Sequence, residues 1–453
     1  MNTPATDAHA RLPTFRETLR VWLRIGCLSF GGPAGQIALL HREVVDNRNW
    51  VSDRRFLHAL NFCTLLPGPE AQQLATYLGW LMHGPRGGLA AGLLFIIPGA
   101  LVMLALSLIY VLFGAVPLIA ALFFGLKSAV LVLVVEALLR VGRRALKGQL
   151  AWTLAATAFI ALFLFNIPFP IVVLAAALTG YILPNHFTSA SHRTAKPGPP
   201  ALIDAVMDAD PTHAPRQATT ARRAGIIALA LWLIPLGLII PLENTFADIA
   251  LFFSKMAVVT FGGAYAVLAY VAQDAVERLQ WLTAPEMLTG LGLAETTPGP
   301  LILVLQFVGF LAGHRAPGTL TGIQGGIIGS AITLWMTFTP CFAFVFLGAP
   351  LIERLHSNRA LAGALAAVTA SVVGVIANLA LWFAIQVLFR QTTPIRAAWL
   401  SFEAPIWTTI DPYALLLATT AAIALLYLNL GVIRTLAICS AASLALHLTL
   451  GVV

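Results

Sequence analysis

The sequence predicts an all-α polytopic membrane protein. About 13 transmembrane helices form two inverted repeats (six, one, six), broken at Phe-Gly-Gly and Pro-Gly-Pro motifs. Three observations predict this: a composition almost empty of charge, a series of apolar runs of spanning length, and a motif set that recurs 231 residues downstream.

Of the 453 residues, 59% are hydrophobic and 10% charged, with mean hydropathy +0.86. A soluble domain carries roughly 25% charged residues, so the chain falls in the membrane class, with the lipid bilayer as its first partner. The net charge of +8 reads as basic loops rather than a nucleic-acid footprint, because no basic helix or aromatic-basic alternation occurs. Cys27, Cys63, Cys341 and Cys439 lie singly in apolar segments and read as buried small hydrophobes, not metal ligands or disulfides. The polar N-terminal stretch has no apolar core or cleavage site, so the first helix is expected to direct insertion.

A span needs about 20 apolar residues. The candidates are 15–38, 54–80, 86–113, 116–140, 150–166 and 168–184, then 223–242, then 247–271, 286–312, 318–347, 359–388, 411–428 and 431–450. The short, tightly joined pairs 150–166/168–184 and 411–428/431–450 either cross or dip. The polar, Pro-, Ser- and Thr-rich stretch 185–222 reads as a flexible cytoplasmic linker. The domains are therefore 1–184 (first repeat), 185–222 (linker), 223–242 (connecting helix) and 243–453 (second repeat).

Basic residues set orientation. Arg11, then Arg140, Arg143, Arg144 and Lys147, then Arg193, Lys196, Arg216, Arg222 and Arg223, and finally Arg354 and Arg359, all fall on one side. That side is expected to be cytoplasmic, with the N-terminus inside and the C-terminus outside. The loop 39–53, with Arg42 and Arg48, conflicts by falling outside.

The repeat is read from register. Phe30-Gly31-Gly32 matches Phe261-Gly262-Gly263, Trp50 matches Trp281, Ser52 matches Thr283, and Pro67-Gly68-Pro69 matches Pro298-Gly299-Pro300, all at one shift. Six spans per half would keep the second half in the same orientation, and the extra helix at 223–242 inverts it. Inverted repeats with broken helices are a transporter architecture, with the substrate near the midplane.

Breaks at Pro67, Pro69, Pro298 and Pro300 free backbone groups that lipid cannot satisfy. The half-helices starting after each PGP aim N–H groups and a positive dipole end into a cavity, which suits an anion. Gly31, Gly32, Gly68, Pro69, Gly262, Gly263 and Gly299 are the candidate substrate-binding positions at the breaks. Kinks for close packing are the competing reading, and Gly88/Gly92 and Gly322/Gly326 do read as packing faces. Arg24 and Lys255 each stand six residues ahead of their break, and with the two helix ends they suit a dianion. Arg24 could instead snorkel along the face of Arg16 and Arg20. Ser29, Thr260 and Thr297 offer hydroxyls, and Gln72, Gln73 and Gln306 offer amides, as oxyanion ligands. Glu70, Glu136 and Glu295 are candidates for proton coupling; Glu70 could equally cap its half-helix. No Walker, Rossmann or nucleophile-elbow motif and no metal-ligand spacing occurs, so no cofactor, metal or catalytic residue is expected.

The segments SFGGPAGQIALLHREVV, WVSDRRFLHAL, NFCTLLPGPEAQQLATYLGW, TFGGAYAVLAYV and LAETTPGPLILVLQFVGFLAG resemble the chromate ion transporter family in its long form, over about residues 15–450. The resemblance implies export of chromate across the bacterial inner membrane, chromate resistance, antiparallel halves and 13 spans. It also implies that the FGG and PGP segments shape the path. Sulfate or a related oxyanion is the alternative substrate. An anion channel or a membrane-embedded enzyme such as a chromate reductase are more remote readings, and a homo-oligomer is left open.

Overall fold

The computed structural model describes residues 12–187, 201–209, 213–261, 263–349, 359–397 and 400–451. Gly262 therefore lies outside the described residues, as do Arg11, Arg193, Lys196 and Arg354 of the orientation argument.

Helix α1, Phe15–Leu28, starts at a capping box in which the Thr14 N–H donates to the Glu17 carboxylate at 2.7 Å. It stops at Ser29, because Gly31 and Gly32 take φ of 86° and 71°, backbone that side-chain-bearing residues rarely adopt. Helix α2, Gly32–His41, with a π turn over Arg42–Asp46, runs back along α1. The return is visible in the contacts: Arg24 sits 4.0 Å from Glu43, and Arg48 and Trp50 share a surface hollow with Glu17 and Arg20.

Helix α3, Asp53–Cys63, is capped by Ser52 and ends ahead of Pro67-Gly68-Pro69. Helix α4, Glu70–Phe113, is two arms joined by a kink at His83 and Gly84. The first arm folds back on the second, and Gly79 and Gly87 are glycines because a Cβ on either would overlap the other's carbonyl oxygen. Phe15 lies against His83, with ring centroids 5.6 Å apart, and Gly26 abuts Leu94. So α1 and the second arm of α4 lie side by side and start at the same end. The first half thus opens with two hairpins entering from that end.

This corrects the reading of 15–38 and 54–80 as crossing spans. An arm of 14 residues, as in α1, is about 21 Å long and falls short of a bilayer core of about 30 Å. Two hairpins conserve the parity of two crossings, so only the loop 39–53 changes side. Arg42 and Arg48 join the N-terminal side, and the conflict in loop charge disappears.

The second half repeats these elements in kind and order. Helix α10, Thr245–Val259, precedes the second Phe-Gly-Gly; α11, Ala264–Val271, leads into a π turn over Ala272–Arg278; α12, Ala284–Thr296, has a Thr283/Glu286 capping box. After Pro300 a tight turn, Leu301–Leu303, starts α13, Val304–Arg315, which returns against α14, Gly322–Gly348, through Gly309/Gly329 and Gly313/Gly325. Trp281 packs on Phe252, and Arg315 donates to the Trp281 carbonyl at 2.7 Å. The Tyr110 hydroxyl reaches Glu286 at 3.3 Å. These hairpins therefore open at the end of α4 that carries Tyr110, opposite His83.

The remaining helices enclose this centre. They are α5, Pro117–Ala145; α6, Gln149–Phe163; α7, Phe169–Ile182; α15, Arg359–Leu388; α16, Pro412–Ala422; and α17, Val432–Leu450. Helices α5, α6 and α7 line up along α15, and α17 lies on α5, where Ser443 donates to the Ala121 carbonyl at 2.6 Å. Among the described residues six helices are long and apolar enough to cross a membrane. The outer surface is itself apolar, with Leu101, Leu174 and Leu238 exposed by 64%, 69% and 70%, as expected where lipid is the solvent. The chain is a multi-pass membrane protein.

Among the described residues the fold is all-α apart from one short antiparallel hairpin, β1 Thr392–Ala397 and β2 Leu400–Pro405, between α15 and α16. Cys27 is exposed, unlike the three buried cysteines.

The stretch 185–222 is not uniformly a loose linker. Helix α8, Leu202–Ala209, is docked, and α9, His213–Ile239, begins ten residues before the predicted 223. The Leu202 and Ile203 N–H groups donate to the carbonyls of Asn49 and Trp50, both at 3.1 Å. Ile203 is fully buried, and Arg55 Nε donates to Asp204 at 2.6 Å. Burying an isoleucine stabilises such a contact by about 2 kcal/mol. Ile203→Asp should therefore raise the population of the undocked segment roughly 30-fold. Limited proteolysis within 188–212 measures this, and an unchanged cleavage rate would contradict the seat.

Candidate functional site

The four hairpin tips meet at the centre of the molecule and exchange hydrogen bonds. The Gly68 N–H donates to the Thr260 carbonyl and the Gly299 N–H to the Ser29 carbonyl, each at 2.9 Å. Each PGP glycine binds the residue just ahead of the other Phe-Gly-Gly. Gly68 and Gly299 have φ of 125° and 91°, which explains glycine between two prolines. Gln36 Nε2 donates to the Gly299 carbonyl at 2.6 Å and pins the second tip from both sides. Gly99, midway along the second arm of α4, lets the Pro298 carbonyl lie directly on the helix backbone.

Beside the tips is a cavity of about 380 Å³. Its walls come from both breaks (Pro33 and Ala34, then Phe261, Gly263 and Tyr265), from Thr64 and Glu70 around the first PGP, from α5 and from α15. It runs from the tips toward the C-terminal end of α5, where Arg140 and Arg144 line it. Arg140 holds the Glu136 carboxylate with two nitrogens, Nε and Nη2. Behind the wall the Tyr265 hydroxyl donates to Glu295 at 2.6 Å, and Glu295 is 3% exposed. The result is a largely apolar cavity that carries two arginines, a few hydroxyls and the Glu70 carboxylate at the N-terminus of α4. Such a set suits an anion.

The predicted site residues divide. Glu70 and Gly263 line the cavity, Pro67, Gly68, Pro69, Pro298, Gly299 and Pro300 form the tips, and Gly31 and Gly32 make the first hinge. Arg24 and Lys255 are elsewhere: Arg24 is 60% exposed and reaches only Glu43, and Lys255 is exposed on the outer surface. Ser29, Thr260 and Thr297 are buried, and their hydroxyls donate to the carbonyls of Gly26, Met256 and Ala294 on their own helices. Gln72, Gln73 and Gln306 are at most 1% exposed. Their amide nitrogens go to Thr76, the Pro67 carbonyl and the Ala100 carbonyl, so they brace the hairpins. The N-terminus of α13 is buried, and only the first PGP helix opens on the cavity.

In the sequence Arg140 and Arg144 are legible only as loop charges that set orientation. The signal for a site role was that α5 is 29 residues long, about 43 Å, so its basic end need not lie outside the bundle. Gln36 and Tyr265 were quoted in the motifs without a role.

Comparison with known proteins follows this geometry. The family described as chromate transporter matches residues 16–181 and 247–446, leaving out α8 and α9. A chromate transport protein of Pseudomonas aeruginosa is 33% identical over 377 residues, covering 82% of this chain and 81% of the relative. A probable chromate transport protein of Synechococcus elongatus is 27% identical over 84% of this chain and 86% of its own. A chromate transport protein of Cupriavidus metallidurans is 26% identical over 83% and 84%. No solved structure matches the chain.

Proposed function

The chain belongs to the chromate transporter family, and from that premise we propose that it is a secondary carrier exporting chromate across the bacterial cytoplasmic membrane, which gives chromate resistance. It acts as a carrier rather than an enzyme, in line with the names of its relatives. Its two halves, 1–184 and 243–453, work as inverted repeats around the hairpin tips. The reciprocal bonds between Gly68 and Thr260 and between Gly299 and Ser29 support this, as do hairpins that open at opposite ends of α4.

The observation that carries the reading is the cavity at the tips, lined by Arg140 and Arg144. A tetrahedral dianion is well matched by positive charge and forked donors, and arginine supplies both. The basic end of α5, Arg48 and the start of α1 share one end of the bundle, and basic loops mark the cytoplasmic face. The N-terminus is therefore cytoplasmic, and the cavity receives its anion from the cytoplasm. A potential of 100 mV, negative inside, moves each charge by about 2.3 kcal/mol, so a leaving dianion gains about 4.6 kcal/mol. Export can run on the membrane potential.

Inside-out vesicles energised to a positive interior test this. Saturable chromate accumulation, reduced only weakly by excess sulfate, is the expected result. Accumulation no greater than in vesicles lacking the protein would remove the chromate reading. Strong sulfate competition would transfer the site to sulfate, a dianion of the same shape.

A further inference from the structure

We infer that Glu136 is a built-in competitor for the transported anion, holding the guanidinium of Arg140 in the empty cavity and giving it up when an oxyanion binds. The inference rests on the cavity being the anion site.

Arg140 and Glu136 are four residues apart on α5, one turn of helix. Nε and Nη2 of Arg140 both point at the carboxylate, with Nε 3.0 Å from Oε1. This edge-on fork is the geometry in which arginine binds a carboxylate or a tetrahedral oxyanion. A guanidinium edge serves one such partner at a time. Arg140 lines the cavity, and the side chains of Arg140 and Glu136 are 32% and 25% exposed, so neither member of the pair is sealed off. Arg144 and Glu70 line the same cavity, and Tyr265 and Glu295 act electrostatically on Arg140 from α11 and α12.

The competition has a use. A site with two free arginines would bind a dianion strongly and release it slowly. A carrier needs binding favourable enough to load and weak enough to unload. A carboxylate waiting one turn away lowers the net affinity and takes the guanidinium back as the anion leaves. The Arg140 guanidinium stays hydrogen-bonded at each stage, and the Glu136 carboxylate it leaves is a quarter exposed rather than buried.

The test measures chromate binding to the purified full-length protein by calorimetry, beside transport in vesicles. Glu136→Gln keeps the size and removes the charge. It should tighten chromate binding about tenfold, as expected for losing a charge-assisted competitor. In transport, KM should fall together with the maximal rate, because release slows. Glu136→Asp should stay close to the wild type. A merely structural ion pair predicts the reverse, weaker binding on losing Glu136.

Infrared difference spectra of the unaltered protein, with and without chromate, provide a readout that needs no variant. A shifted antisymmetric carboxylate stretch is expected, and its absence overturns the inference. Unchanged or weaker binding by Glu136→Gln, with the wild type binding normally, also overturns it and leaves the cavity reading standing. No chromate binding by the wild type would overturn the cavity reading itself.

Discussion

Arg140→Gln should reduce chromate accumulation in inside-out vesicles at least 100-fold, with the protein still folded. The side chain supplies forked donors to the cavity. Removing a charge-assisted, bidentate contact in a poorly hydrated site costs about 3 kcal/mol, which is roughly 100-fold in binding. Arg140→Lys should recover only part of this, because a point charge replaces a planar fork. Arg24→Gln is the matched control. Arg24 is 60% exposed and pairs with Glu43 at 4.0 Å, away from the cavity lining, so its loss should change accumulation by about twofold at most. Equal losses at Arg24 and Arg140 would show that charge near the first break, and not the cavity lining, governs transport.

The second large effect is expected at Gly99. A Cβ there would overlap the Pro298 carbonyl oxygen, and the Leu303 side chain closes the same space. A backbone carbonyl cannot swing aside as a side-chain tip can, so Gly99→Leu must push the second PGP tip away from α4. The displaced tip would strain the bonds from the Gly299 N–H to Ser29 and from Gln36 to the Gly299 carbonyl. Overpacking costs about 1–3 kcal/mol, and each buried hydrogen bond lost adds about 1–3 kcal/mol. The expected sum of roughly 5 kcal/mol is comparable to the whole stability of many domains. Thermal unfolding monitored by size exclusion in detergent should show a midpoint lowered by several degrees or no folded peak. Gly237→Ala, on the exposed side of α9 with nothing within 4 Å of an added Cβ, is a control for helix effects. A wild-type midpoint for Gly99→Leu would mean that the tip is not seated on α4.

Much of this arrangement was legible in the chain. The paired Phe-Gly-Gly and Pro-Gly-Pro motifs mark the hairpin tips, and their common shift of 231 residues matches the pairs that hydrogen-bond across the centre. Hydropathy could not show whether an apolar run crosses or turns back, because both require the same composition. Length and the position of the break decide it, and α1 with α2 has the break in the middle. The charged residues misled for a related reason. Arg24 and Lys255 share a register, but register says nothing about which way a side chain faces. Arg140 has no repeat mate among the motifs, and its role depends on α5 and α15 closing around the tips. Glu70 was legible because it adjoins the break. The docking of α8 was hidden because short buried contacts, at Ala201 and Ile203, carry it within a polar stretch.

The exchanged bonds between tips have a consequence for synthesis. The Gly68 N–H depends on the Thr260 carbonyl, 192 residues later in the chain. A ribosome making about 5–20 residues per second reaches that residue roughly 10–40 s later. Through that interval the first pair of hairpins is in place with its partner unmade, and hydrocarbon cannot solvate the waiting amide. A nascent first half must therefore stay hydrated, or be sheltered by the insertion machinery, until the second half arrives to close it.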